Sequence, residues 1–510
     1  MDKSEKAEVL SVLISIVGKD KASADPSVCF AYTRDQIVKS RGPDFVVLPK
    51  NKEEIKAILK FASERGIPVI PKGTGANLIG AVIPEKGGII IGLKRMNRIL
   101  ELDPDNMTAT VEPGVTFGQL QRAAWDVGLF TPEPSGPHTV RIMSNFYGTR
   151  GLSTYSAKYG VGDRHILGTE WILPNGREIK LGCFAHPTGE KSSNWEHAPG
   201  PDLSGLVMFA FGDLGICTKS KVKLYPKMED QGGVSDGYLY VISQNLKTVF
   251  DACLELGKWG YTNSFIMRWP YVAMMFGHTQ KASQKMMQQP AFAAMLTIVL
   301  EGTERRIEFH KERIKKICKE EFPDAMVVKM EEVQRPFLNA TDPSNNYLEN
   351  VKENPRIMID YMFLSSRAFR VHGSFGGNTP FLPPDKAYNI FKYSEASAKE
   401  LAERPEEIAC YFQPIDDMHY GCQEMDLYWN NFDAVDTLKA LTAFQAAEVK
   451  SMITERDSIF YYLYIENDFC EAVGPILFPG YFNLLKGWKK MVDPHGIMNP
   501  GKGLDVPANE

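Results

Sequence analysis

The stretch Val69-Ile70-Pro71-Lys72-Gly73-Thr74-Gly75-Ala76-Asn77-Leu78-Ile79-Gly80 decides how this 510-residue chain is read. An apolar strand runs into a loop of three glycines and small residues. Such a loop can turn successive backbone N–H groups inward and form a nest for an anion, with a diphosphate as its natural guest. It is not a Walker A loop, which would need Gly-Lys-Ser/Thr, nor a Gly-x-Gly-x-x-Gly that opens a helix after its strand. Taken alone, a glycine-rich loop can equally be a plain turn, so its neighbours must decide.

Upstream, Phe45-Val46-Val47-Leu48 is a short apolar run ended by Pro49. Asn51-Lys52-Glu53-Glu54 opens an amphipathic helix with Ile55, Ile58, Leu59 and Ala62 on one face, and Gly66 closes it. With the strand at Pro68 to Pro71 this makes a β-α-β pass. Downstream, strands are predicted at 88–91, 99–102 and 108–111, then a helix from Phe117 with Gly128 as its cap. Strand 168–173 turns at Pro174-Asn175-Gly176 into 178–181 as a hairpin. Residues 182–205 read as a long surface loop, and the strand 218–224 closes the N-terminal half near Pro226. Beyond it, strands at 237–242 and 294–300 mix with helices at 247–259 and 303–320. The polar segment 339–355 reads as a mobile loop.

The chain is too long for one hydrophobic core. A net charge of −5 provides no broad cationic surface, so nucleic acid is not the expected partner. The apolar run Val9 to Val17 is too short to span a bilayer. It follows Asp2-Lys3-Ser4-Glu5-Lys6 without a small-residue cleavage site, so it predicts a first helix, no membrane span and a cytoplasmic location. Eight cysteines (Cys29, Cys183, Cys217, Cys253, Cys318, Cys410, Cys422, Cys470) form no Cys-x-x-Cys pair. The expectation is buried thiols, no metal, and neither an iron–sulfur cluster nor a zinc knuckle. Any redox chemistry would then need a bound organic cofactor and an electron acceptor outside the chain.

Three further segments keep company with the glycine loop: Val111-Glu112-Pro113-Gly114-Val115, Pro201-Asp202-Leu203, and Phe211-Gly212-Asp213-Leu214-Gly215-Ile216-Cys217-Thr218. In this order and spacing the set resembles the FAD-binding half of the vanillyl-alcohol oxidase and p-cresol methylhydroxylase (PCMH-type) oxidoreductase family. Asp493-Pro494-His495-Gly496-Ile497-Met498-Asn499-Pro500-Gly501-Lys502 is similar to that family's C-terminal signature. The resemblance runs from Pro43 to Leu504. It implies an α+β chain: a PCMH-type FAD-binding domain of two α/β subdomains over 1–228, an α+β substrate (cap) domain over 229–455, and a C-terminal return segment, 456–510, packing on the FAD domain.

Thr149-Arg150-Gly151-Leu152-Ser153-Thr154-Tyr155, followed by Tyr159-Gly160, is similar to the branch acting on 4-alkylphenols and vanillyl alcohol. Flavin dehydrogenases of D-2-hydroxy acids usually carry a Gly-Asp-Gly-Asn-x-His metal motif, whereas here the comparable stretch is Pro414-Ile415-Asp416-Asp417-Met418-His419-Tyr420-Gly421. The phenol branch's own substrate residues are also missing. Thr149 stands where an acidic residue is expected, Ile79 where a tyrosine is, and Tyr462-Leu463 where a Tyr-Arg pair would hold a phenolate. Either the substrate is not a phenol or the site is rearranged.

By resemblance, the FAD-binding residues are Pro71, Lys72, Gly73, Thr74, Gly75, Ala76, Asn77 and Gly80; Tyr147, Gly148, Gly151, Gly160, Asp163 and Arg164; Gly212, Gly215, Ile216 and Thr218; and Asn499 and Lys502. Lys502 opposite the flavin pyrimidine would stabilise the anionic reduced ring. FAD is expected to be non-covalent, because His372 is out of register with Thr379, where relatives tether it. His419 is the first catalytic candidate, joined by Tyr462, Tyr464 and Arg150; each could instead be structural, in the core or in a surface pair.

The expected function is an FAD-dependent oxidoreductase taking a hydride from an aromatic or alicyclic alcohol or a para-alkyl aromatic. Its electrons would pass to oxygen, a cytochrome or an iron–sulfur subunit, and the chain would be a homo- or hetero-oligomer. The alternatives are the flavin subunit of a 2-hydroxy acid dehydrogenase and a non-catalytic or electron-relay subunit of a larger complex.

Overall fold

A computed structural model describes the chain except residues 36–39, 76–79, 133–137, 154, 190–193, 198, 209, 228–236, 277–279, 330–331, 333–373, 402–407, 430–470, 472–473, 477 and 505–510. The loop expected at 339–355 lies outside the described residues, as do Ala76, Asn77, His372, Tyr462 and Tyr464.

The first sheet has the strand order Ala22–Ser23, Phe45–Val47, Ile89–Gly92, Val69–Lys72, with the last three parallel. The helix Lys52–Arg65 covers it and buries Ile55, Ile58, Leu59 and Ala62, the four positions its periodicity predicts. Asn51 caps its first turn by accepting the Glu54 N–H, and Gly66 ends it in the left-handed region at φ 61°. Val9, Leu13 and Val17 of the helix Lys3–Val17 fill the same core. Ile497 and Met498 belong to that core as well: the Val69 N–H donates to the Ile497 carbonyl, and the Asn499 N–H donates to the Val69 carbonyl. The C-terminal tail thus lies against the strand that feeds the glycine loop.

A second sheet is wholly antiparallel, in the order Ile99–Asp103, Thr108–Val111, Ile216–Lys223, Ile166–Ile172, Glu178–Gly182. Its helix starts at Phe117 as expected, fixed by a capping box between Thr116 and Gln119, but ends at Trp125 and not at Gly128. Gly128 serves the following turn, at φ 75°, where its N–H reaches back to Trp125.

The third sheet, eight-stranded among the described residues, runs Met326–Val328, Tyr238–Ser243, Ala294–Val299, Ser264–Arg268, Ala409–Ile415, Tyr420–Trp429, Ser374–Asn378, with Phe381–Leu382 also paired to Tyr420–Trp429. One face packs on the helices Leu246–Lys258, Glu304–Glu321 and Ala387–Leu401 through Cys410, Phe412, Met425 and Leu427. The other face presents Tyr240, Met267, Tyr411 and Ile415 to Phe130, Leu152, Tyr155 and Val161 of the N-terminal half. Side chains alternate along a strand, so this second face is also where residues 424 and 426 belong. Among the described residues no helix is long and apolar enough to cross a membrane.

Candidate functional site

The loop after Val69–Lys72 splits its residues between two environments. Pro71 and Gly73 face a cleft. Lys72 turns beneath the loop, its Nζ 4.6 Å from the centre of the Tyr32 ring, and burial lowers its pKa. Gly75 passes over that side chain at φ 78°, and a β-carbon there would sit 2.4 Å from the Lys72 Cε. The Gly80 N–H is already engaged, donating to the Asp35 Oδ2 at 2.7 Å.

The opposite wall is also glycine-built. A β-carbon on Gly212 would lie 2.6 Å from the Pro71 Cγ, and one on Gly215 would lie 2.7 Å from the Ile172 carbonyl. Asn499 fastens the two walls: its Nδ2 donates to the carbonyls of Ala81 (2.8 Å) and Phe211 (2.9 Å). Nearby, the buried Lys489 holds Asp493 at 2.8 Å, and the Asp493 carboxylate accepts the N–H groups of Ile497 and Met498. Lys502, buried, is ion-paired with Glu85.

A turn of π-helix, Ser144–Thr149, forms the floor. Its Tyr147 stands edge-on to Trp171 at 5.5 Å and bonds the Ser220 hydroxyl at 2.9 Å; full burial pushes the phenol well above its usual pKa. The cleft these parts border has a cavity volume of about 130 Å³ and is lined by Pro71, Gly73, Ala81, Val82, Leu93, Pro113, Met143, Ser144, Tyr147, Gly148, Thr149, Trp171, Val207, Ala210, Phe211, Gly212, Gly215, Ile216 and Cys217.

Seven of the expected binding residues therefore line one space: Pro71, Gly73, Tyr147, Gly148, Gly212, Gly215 and Ile216. Lys72, Gly75, Gly80, Asn499 and Lys502 frame it from behind, engaged as described, and Thr74 is exposed outside the lining. Thr218 points elsewhere. Its hydroxyl donates to the Glu170 carboxylate at 2.9 Å, within an ion-pair knot with Lys52, Lys180 and Lys219. A bulge between Cys217 and Lys219 breaks the strand's alternation, which is why Ile216 and Cys217 both reach the cleft.

Gly151, Gly160, Asp163 and Arg164 gather just beyond Thr149. The Arg150 Nε lies 3.0 Å from the Asp163 Oδ2, and Arg164 lies 3.7 Å from Asp416. Burial raises the Asp163 pKa, with the two guanidiniums pulling against it. A β-carbon on Gly151 would overlap the Asn145 amide, and one on Gly160 would press on the Arg164 stem. His419 is exposed in the neighbouring turn, its Nδ1 2.6 Å from the Asp416 carbonyl oxygen, and is not part of the cleft lining.

A group that sequence reasoning missed lies on the sheet face turned toward the N-terminal half. Glu424 pairs in register with Tyr411, and Asp426 with Ala409. Glu424 is half-buried, and protein surrounds its carboxyl. Burial raises its pKa, while the neighbouring Asp426 and Tyr411 side chains pull the other way. Tyr271 stands 5.6 Å from Tyr411, ring to ring. Two positions along from Tyr411, the Gln413 Nε2 donates to the Ser153 carbonyl at 2.8 Å. Three residues separate Ser153 from Thr149 on the cleft wall, so this bond ties the strand that carries Tyr411 to the segment leaving that wall. The only sequence signal was Glu-x-Asp alternating with Met and Leu in a strand whose hairpin turn holds no glycine.

Residues 43–182 match the family described as FAD binding domain. The glycolate oxidase subunit GlcD of Bacillus subtilis (strain 168) is 37% identical over 228 residues, 44% of this chain and 46% of that protein. The 4-cresol dehydrogenase (hydroxylating) flavoprotein subunit of Pseudomonas putida is 24% identical over 494 residues, 92% of this chain and 89% of that one. The chain spans about half the length of the first curated relatives it matches. Among solved structures, p-cresol methylhydroxylase with substrate bound superposes with a TM-score of 0.80 at 20% identity, covering 100% of this chain and 99% of that one. The 4-ethylphenol oxidase of Gulosibacter chungangensis gives 0.78 at 19%, covering 99% and 98%. The chain carries an FAD-binding domain in a PCMH-type α+β fold. FAD is its cofactor. The PCMH-type cleft fits that group on its own terms: walls at Gly73, Gly212 and Gly215 have no room for side chains, so backbone can close directly on a dinucleotide.

Proposed function

We propose that this chain is an FAD-dependent oxidoreductase whose substrate is an aromatic or alicyclic alcohol, or a para-alkyl aromatic, bearing no carboxylate. The observation that carries the reading is the Glu424–Asp426 carboxyl pair beside Tyr411 and Tyr271, on the sheet face tied through Gln413 and Ser153 to the segment leaving the cleft wall. Bound FAD supplies a hydride acceptor. The chain's part is to hold the donor carbon still and to take the hydroxyl proton. The Glu424 carboxyl, beside Asp426 and Tyr411, can receive that proton in surroundings that hold its affinity for it above that of a free carboxylate. Tyr411 and Tyr271, packed ring against ring, give that face an aromatic character suited to a flat apolar substrate.

In this reading residues 1–228 hold FAD, non-covalently, between Gly73, Tyr147, Gly148, Gly212 and Gly215; residues 229–455 cap the substrate; and 456–510 return over the cofactor. Electrons leave to an external acceptor. A separate acceptor chain, a cytochrome or an iron–sulfur protein, is favoured by the word subunit in the names of both the glycolate and the cresol relatives. The described cysteines are buried free thiols, which supports a cytoplasmic home.

A 2-hydroxy acid donor is the second reading, and the 37% identity to GlcD favours it. That likeness covers 44% of the chain, while the acidic pair on the substrate face would repel a donor's carboxylate. Anaerobic mixing of the holoprotein with aryl alcohols, 4-alkylphenols, lactate and glycolate separates the two. Bleaching of the flavin absorbance by the neutral aromatics is expected; bleaching by the hydroxy acids alone would sink the proposal.

A further inference from the structure

Arg141 is a half-buried cation with no counter-ion among the described residues. Its Nη1 donates to the Gly114 carbonyl, its Nε is buried without an acceptor, and no carboxylate lies near enough to shift its pKa, which burial alone pulls down. A guanidinium in that state has given up part of its water without gaining an anion, a cost that a bound anion would offset. Its stem runs along the glycine loop. A β-carbon on Gly73 would come within 3.1 Å of the Arg141 Cγ and 3.3 Å of the Ser144 Oγ, and both Gly73 and Ser144 line the cleft.

Three other described groups around that loop are already engaged. Lys72 is under the loop against Tyr32, Lys502 is paired with Glu85, and the Gly80 amide is bonded to Asp35. The geometry points to Arg141 as the residue that pairs with the diphosphate of FAD, its guanidinium meeting phosphate oxygens beside Gly73. The inference rests on the FAD reading of the cleft and adds the source of charge to it. A planar guanidinium matches two phosphate oxygens at once, and such charge-assisted pairs are about twice as strong as neutral hydrogen bonds.

The test uses deflavinated full-length protein, wild type and the variants Arg141→Gln and Arg141→Lys, titrated by calorimetry with FAD, ADP, riboflavin and inorganic phosphate. Arg141→Gln is expected to weaken FAD and ADP by about tenfold to a hundredfold, to leave riboflavin unchanged and to flatten the salt dependence of FAD binding. Arg141→Lys is expected to recover part of the loss, and circular dichroism with a thermal melt reports that each variant is folded. FAD and ADP bound by Arg141→Gln as tightly as by wild type, with the same salt slope, overturn the inference. So does an equal loss for riboflavin, which would mark a change of shape, or a loss confined to inorganic phosphate, which would mark an anion site unrelated to FAD. Wild-type protein that takes up no flavin at all defeats the cofactor reading itself, a result distinct from the others.

Discussion

At the scale of single residues, the candidate chemistry depends on where a proton rests. Glu424's pKa is raised by burial, and the Asp426 carboxyl beside it makes the two titrate as a pair. A base works only when ionised, so the rate of flavin reduction should climb with pH through an inflection above the ordinary carboxylate value. In Glu424→Gln, stopped-flow reduction is expected to slow by about a hundredfold to ten-thousandfold and to lose that inflection, with FAD still bound. A variant that keeps the wild-type rate and pH profile would remove Glu424 from the chemistry.

These two carboxyls also show what a sequence conceals. Glu424 and Asp426 gain meaning only from the strand beside them, where Tyr411 and Gln413 stand on the same face. Pairing across strands is non-local and leaves no mark in spacing. The same holds for His419: its Met-His context was visible, but its exposed place in the turn was not. Thr218 was read into the cofactor site from a motif, whereas a bulge in its strand and the Glu170 carboxylate decide its direction.

Among secondary-structure elements, local signals were reliable. The helix Lys52–Arg65 was legible because cap, period and terminating glycine all agreed. The glycine loop was legible because its glycines are sterically required. The hairpin of Ala409–Ile415 and Tyr420–Trp429 was not, because Asp416, Asp417 and Met418 make its turn at φ 52°, 53° and 72° without a glycine. The tail's role depends on Asn499, whose two donated bonds tie the walls of the cleft. Asn499→Ala leaves two buried carbonyls unsatisfied and puts alanine at φ 46°, so the urea midpoint should fall by the equivalent of roughly 2–4 kcal/mol, with FAD affinity falling too. An unchanged midpoint would mean that the tail is not a fastener.

For the whole molecule, acid is the sharpest probe. His165 is fully enclosed, tilted against the Phe146 ring and bonded to the Tyr225 hydroxyl, and burial drops its pKa to about 3 from the usual 6.5. The folded state therefore holds it neutral while the unfolded chain protonates it. Its contribution is complete above pH 6.5 and drains away as pH falls toward 3, by about 1.4 kcal/mol per pH unit. Urea unfolding of wild type and His165→Gln at pH 7, 5 and 4 should show the gap between them closing by that amount. A constant gap would mean that His165 titrates alike in both states.

The pairing of Val69 with Ile497 and Asn499 sets an order of events. The ribosome makes the strand before the glycine loop long before its neighbour at Ile497 to Asn499, so a growing chain exposes that edge until the later segment is made. Until the tail arrives, the back wall of the pocket has no fastening, and the edge can recruit another chain's strand. Flavin capture is then a closing act, and a chaperone that shields the edge would raise the yield of yellow protein.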